Sequence, residues 1–265
     1  LSLNNPVNQL RAMKVLKDEY LMDEIQQKRF KNESLLVDRL DHPNIVKVHE
    51  RGEDKGQLYI LMELLEGQTL GDRIRENRYP DIARCIHIMM QVADVLAHLA
   101  RENIIHRDLK PENIMLIQKG KDPDYVKLLD FGIARGQTFS HLTETGHVLG
   151  TLPYMPPEVV AEGMFSPAVD IYSLGVICYK LLTRILPFRG EKPIETMRQI
   201  LDFIPPEPRQ LNPGIPPELN DLVLKMMSKD PLLRPSAQQA LEGFMNIPPF
   251  GGSDENLPGA NETIK

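Results

Sequence analysis

"NIIHRDLKPENIMLI", residues 103–117, is the stretch on which the fold turns. Apolar pairs and runs at Ile104-Ile105 and Ile114–Ile117 bracket eight residues, of which only Leu109 is plainly apolar and five can carry charge. Apolar flanks of this kind anchor in a core, so His106, Arg107, Asp108, Lys110, Glu112 and Asn113 are expected on a polar loop held between two buried supports. Asp108 and Asn113 lie five residues apart, a spacing that neither a helix nor a strand brings to one face; a compact loop does, and Pro111 helps by fixing one φ angle.

Working outward, the 265-residue chain has room for one large domain or two lobes. It is 42% hydrophobic and 26% charged, with a net charge of -6, so nothing marks a basic face for nucleic acid. Cys85 and Cys178 are its two cysteines, widely separated and each in an apolar neighbourhood. Neither a disulfide framework nor a cysteine metal site is expected from them, and they fit a reducing, cytoplasmic setting. The apolar run around Leu174–Leu182 is cut by Lys180 and falls short of the roughly 18 residues of a membrane span; no signal peptide is visible. His42, His87, His98 and His147 show no metal-ligand spacing.

Residues 10–17, "LRAMKVLK", read as a strand, and residues 20–40 as an amphipathic helix with Leu21, Ile25, Leu36 and Leu40 at helical spacings. "DHPN" stops that helix because Pro43 disfavours a helical His42. Strands are expected at 45–50 and 57–64 around a "GEDKG" turn. After Pro80 the texture becomes helical. A stripe of Ile82, Ile86, Met89, Ala93, Leu96 and Ala100 predicts a helix over 81–102 with Asp81 as its N-cap. Short apolar pieces at 114–117 and 125–129 follow, then a loop-rich region over 132–157. Helical patterns recur near 158–162, 168–183, 193–201, 218–228 and 236–244. The expected division is therefore 1–66, mainly strands plus one helix; 67–245, mainly helical; and 246–265, a Pro-, Gly- and Asn-rich linker or tail.

The chemistry-bearing residues come in a fixed order: "AMK" ending at Lys14, Glu33 on the next helix, "HRDLKPEN" at 106–113, "DFG" at 130–132 and "PPE" at 156–158. Alone, each is weak. The series over about residues 8–245 resembles the protein kinase catalytic domain, and "HRDLKPEN" with "GTLPYM" at 150–155 looks like the serine/threonine branch, similar to the eukaryotic-like kinases of bacteria. That resemblance implies an α+β, bilobal fold with a small β-rich N-lobe and a larger, mainly helical C-lobe. It also implies ATP with Mg2+ or Mn2+, and protein substrates with Ser or Thr acceptors. Phosphoryl transfer asks the protein chiefly to position groups and neutralise charge, and each motif residue fits one such task.

By resemblance, Lys14 holds the α- and β-phosphates and Glu33 fixes its ammonium. Asp130 and Asn113 carry the metal ions, Asp108 accepts the hydroxyl proton, and Lys110 points to the γ-phosphate. Ala12 roofs the adenine, Met62 is the gatekeeper, Glu63 and Leu65 offer hinge backbone groups, Met115 forms the floor, and Phe131 packs toward the Glu33 helix. Asp170 braces the catalytic loop, and Arg234 pairs with Glu158, with Pro156 standing where the family has alanine. Thr143 and Thr145 match activation-loop phosphosites, with Arg107 as the partner of such a phosphate, implying autophosphorylation and self-association.

The family pattern also has a glycine-rich loop ahead of the lysine strand, but "LSLNNPVNQLRAM" contains no glycine. The chain opens on Leu1, so it reads as a fragment whose first two strands are missing, with weak ATP binding expected, since each backbone bond to phosphate contributes roughly 1.5–3 kcal/mol. The competing reading is a catalytically impaired, pseudokinase-like binding module. A membrane anchor beyond Lys265 stays compatible with the sequence.

Overall fold

The computed structural model describes residues 10–16, 40–130 and 148–248, together with Asp23, Gln27 and Phe30. The helix expected over 20–40 thus lies largely outside the described residues, as do Glu33, Phe131, Thr143 and Thr145.

The N-terminal part is an antiparallel sheet of β1 (Arg11–Val15), β2 (Val48–Asp54) and β3 (Gln57–Glu63), in the order β1-β3-β2. Its register pairs Ala12 with Met62 and Lys14 with Ile60. Leu16, Phe30, Leu58 and Ile60 close a small apolar cluster against one face. The strand expected at 45–50 begins later and runs to Asp54, and the "GEDKG" turn shrinks to Lys55 and Gly56. Both have positive φ (50° and 82°), the two-residue hairpin geometry that matches strand twist and favours glycine at its second position.

From Gly67 the chain builds a second antiparallel sheet, β4 (Gly67–Thr69), β5 (Ile114–Lys119) and β6 (Asp122–Leu128), around helices. Thr69 caps α1 (Leu70–Arg75) in a reciprocal box with Asp72. α2 (Ile82–Arg101) starts where predicted: Asp81 accepts a hydrogen bond from the Arg84 N–H at 2.8 Å. The remaining helices are α3 (Val148–Thr151), α4 (Pro157–Glu162), α5 (Ala168–Thr183), α6 (Pro193–Asp202), α7 (Pro208–Leu211), α8 (Pro217–Met226) and α9 (Ala237–Met245).

α2 is long and apolar enough to cross a membrane by length and composition, yet its stripe is spent in the protein interior, with Cys85, Ile88, Met89, Val92 and Ala93 fully buried. It packs against α5, α9 and β6. α5 is buried on every side over most of its length, as a central helix must be when apolar residues surround it. Gly175 on α5 lets α8 approach, because a Cβ there would meet Met226 Cβ at 2.9 Å. Asp124 on β6 ties β6 to both α1 and α2: burial alone would raise its carboxyl, but Arg84 and Arg73 bring it below the ordinary range. Ile247 also packs into this core, so ordered packing reaches past the 245 boundary drawn from composition.

Candidate active site

The polar loop of residues 106–113 hangs between the end of α2 and β5, and a buried carboxylate holds it from below. Asp170, on the first turn of α5, accepts the His106 N–H at 2.7 Å and the Arg107 N–H at 3.0 Å. Burial raises the Asp170 pKa, against the pull of His106, Arg107 and these two donors. The His106 ring is itself buried. Its Nδ1 accepts from the Asp108 N–H at 3.3 Å, which makes Nε2 the donor to the Leu129 carbonyl at 3.2 Å. One imidazole thus joins the loop to the chain that delivers Asp130.

Around Asp108 the loop closes on itself. Lys110 Nζ lies 3.0 Å from Asp108 Oδ2, and the Asn113 amide donates to the Asp108 carbonyl at 2.8 Å and to Oδ2 at 3.2 Å. A 3₁₀ turn, Pro111–Asn113, carries Asn113 back to Asp108. Lys110 also donates to Thr151 Oγ1 at 3.2 Å. Arg107 has φ +67° and stacks its guanidinium 5.2 Å from the Phe165 ring centroid.

The second half of the site comes from far away in the chain. Lys14 Nζ on β1 meets Asp130 Oδ1 at 2.7 Å, 116 residues apart. Asp130 follows β6 with φ +22°, and the Leu129 N–H donates to the Asn113 carbonyl at 2.8 Å, so Asp130 and Asn113 share one anchor. Asn113 turns its NH2 group toward Asp108, leaving the amide oxygen for a cation. A carboxylate and an amide oxygen are the hard donors that Mg2+ or Mn2+ prefers, so these residues fit a metal.

Between the two sheets, Ala12 and Met62 are paired across β1 and β3, and Met115 lies on β5 opposite Thr69 and Lys127. The Glu63 N–H is given to the Lys47 carbonyl at 2.9 Å, so a contribution from Glu63 to a ligand rests on its carbonyl, while Leu65 is half-buried two residues on. Lys127 Nζ pairs with Glu63 Oε1 at 2.6 Å. Away from this cleft, Arg234 grips Glu158 through two bonds, at 2.6 and 2.7 Å, and stacks 4.9 Å from Tyr172. Both side chains are nearly sealed from solvent.

Sequence reasoning missed three contributors. Thr151 sits in the quoted "GTLPYM", but its hold on Lys110 depends on a 41-residue separation closing. His106 and Lys127 act through partners that local spacing does not reveal.

This loop, its buried aspartate brace and the Lys14–Asp130 pair, mounted between a small sheet and a helical body, are the arrangement of a kinase-type domain. A family model described as the protein kinase domain matches residues 2–244, so the chain belongs to that family and has its bilobal α+β fold. Curated relatives include serine/threonine-protein kinase PrkC of Bacillus subtilis, 35% identical over 231 residues, which cover 87% of this chain and 35% of the relative. Serine/threonine-protein kinase pkn3 of Myxococcus xanthus is 37% identical over 239 residues, 87% of this chain and 44% of the relative. PknL of Mycobacterium tuberculosis, also a serine/threonine-protein kinase, is 35% identical over 229 residues, 86% and 55%. The chain spans about a third to a half of the length of these relatives.

Proposed function

We propose that this chain is the catalytic part of a protein serine/threonine kinase, transferring the γ-phosphate of ATP to Ser or Thr hydroxyls of protein substrates. The observation that carries this is the convergence of Lys110 Nζ and the Asn113 amide on Asp108, at 3.0 and 2.8–3.2 Å. Asp108 is the group that takes the hydroxyl proton, oriented by Asn113. Lys110, between Asp108 and Thr151, offers its charge to the transferring phosphoryl group. Lys14, with Glu33, holds the α- and β-phosphates, and its contact with Asp130 supports that placement. Asn113 and Asp130 would hold the metal, which when bound neutralises phosphate charge.

Ala12, Met62, Glu63, Leu65 and Met115 would line the adenine site. Glu158, Arg234 and Asp170 act as braces that position the loops without touching substrate. Thr143 and Thr145 are the proposed autophosphorylation sites, in a self-association step, and Arg107 the phosphate's partner. Residues 1–66 and 67–245 are the two lobes under this reading, with 246–265 as a linker. A reducing, cytoplasmic setting is supported by Cys85 and Cys178, which are free and buried. The impaired-module alternative is disfavoured because Lys14, Asp108, Asn113 and Asp130 are all present, with Lys14 beside Asp130 and Asn113 beside Asp108.

The test is phosphotransfer to a Ser/Thr protein substrate by the chain and by its Asp108→Asn variant. Loss of a general base should cost about 10²–10⁴ in rate. Equal transfer by the variant would remove Asp108 from the role given to it.

A further inference from the structure

Beside Asp108 lies a cluster of cations that the proposed chemistry does not use. Tyr154 is buried and held by Ser173, whose hydroxyl donates to the Tyr154 carbonyl at 2.8 Å. It lines the same cavity as Asp108 and Thr151. Behind it, Lys180 on α5 donates to the Tyr154 hydroxyl at 3.4 Å. Lys180 is half-buried, and this hydroxyl is the one hydrogen-bond partner of its ammonium among the described residues. Burial lowers its pKa, Glu112 opposes that, and Arg189 is close enough to add to it.

The rim is also cationic. Arg184 ends α5 and lies over the Tyr79 ring at 5.7 Å, while the Tyr79 hydroxyl donates to the Arg184 carbonyl at 3.4 Å. Arg189 is exposed and lies near enough to Lys180 for its charge to be felt there. Among the described residues, no carboxylate lies within 4 Å of the charged ends of Lys180, Arg184 or Arg189. The charge opposing Lys180 is Glu112, and Arg75 stands 3.8 Å from its Oε1 while also pairing with Asp72. The charges acting on Lys180 are thus Glu112, already met by Arg75, and a second cation, Arg189.

A half-buried ammonium given only a weak neutral partner has lost hydration without regaining charge, and an anion arriving at the mouth restores it. We propose that Lys180, with Arg184 and Arg189 at its rim, forms a subsite selecting peptide substrates that carry an anionic side chain within a few residues of the acceptor hydroxyl. The inference rests on the kinase reading above. An Asp or Glu carboxylate and a phosphorylated side chain present the same anionic oxygens, and the test separates them.

Fluorescent peptides with the acceptor replaced by alanine report binding without turnover, by anisotropy at low salt on the whole chain. One flanking position at a time carries Asp, Asn, Lys or phosphoserine. At the favoured position the Asp peptide should bind roughly tenfold tighter than the Asn peptide, the scale of one charged hydrogen bond. Lys180→Met should erase that ratio, and Glu112→Gln should widen it. A merely structural effect would weaken binding of all peptides in both variants. Arg189→Gln, at an exposed position, should reduce the ratio in part and carries the test if Lys180→Met fails to fold. Equal binding of Asp and Asn peptides, or a ratio unmoved by either cation variant, overturns the proposal. A phosphoserine peptide binding more than about tenfold tighter than the Asp peptide supports it with a phosphorylated substrate as the source. Failure of the kinase reading shows separately, as phosphotransfer undiminished by Asp108→Asn.

Discussion

Arg234 and Glu158 show what one buried ion pair does inside the helical part of the fold. Arg234 spends its remaining donors on the carbonyls of Ala168, Ser228 and Lys229, so its guanidinium is fully committed inside the protein. Removing one partner strands the other's charge, which costs about 3–5 kcal/mol. Arg234→Met should lower the urea midpoint accordingly, and the double variant with Glu158→Gln should recover part of the loss. A single variant as stable as the parent would show that the pair is not sealed from water. Asp170 acts in a similar way by geometry: two backbone donors converge on it, and without its carboxylate the His106 and Arg107 N–H groups have no partner in that direction.

At the scale of elements, caps and helix ends set what can be measured. The Asp81 cap predicts that Asp81→Ala destabilises α2 by about 1 kcal/mol, read from thermal unfolding; no change would mean that packing alone sets this start. At the far end of α6, Lys229 donates to the Ile200 carbonyl at 2.5 Å and lies 4.0 Å over the Phe188 ring. Burial draws its pKa from the ordinary 10.5 to about 8, against the attraction of Asp202. Between those two values the unfolded chain keeps a proton that the folded chain has released, so stability should rise with pH across that window and stay level below it. Urea midpoints at about pH 7.5 and about pH 9.5 check this. The rise should be absent in Lys229→Met, and a rise shared by that variant would assign the effect elsewhere.

The same scale shows where local pattern was legible. α2 and α9 announce themselves by the period of their apolar residues, and α2 also by its cap, Asp81, whereas α5 shows as a long run apolar on every side. β2, "VHERGED", is misplaced from sequence because most of its residues are exposed and carry no alternation. β4, three residues long, and α1, six residues long, are too short to leave a period at all.

At the scale of the whole molecule, Lys14 comes from the first sheet and Asp130 from the end of the second, so a nucleotide binding between them would link both parts of the fold. MgATP at about a hundredfold over its Kd should add about 2.7 kcal/mol to stability. Lys14→Met should abolish the accompanying rise in Tm, and a shift of equal size in that variant would place the nucleotide elsewhere.

The sequence by itself determined that residues 106–113 form a polar loop between two apolar anchors, because that pattern lies within one short stretch of chain. It also determined the helices whose apolar stripes are long enough to repeat. Only the tertiary structure decided that Lys14 meets Asp130, that Thr151 takes Lys110 and that Lys180 stands behind Tyr154. These pairs are separated by 116, 41 and 26 residues, and nothing local records which distant side chain packing will bring into reach.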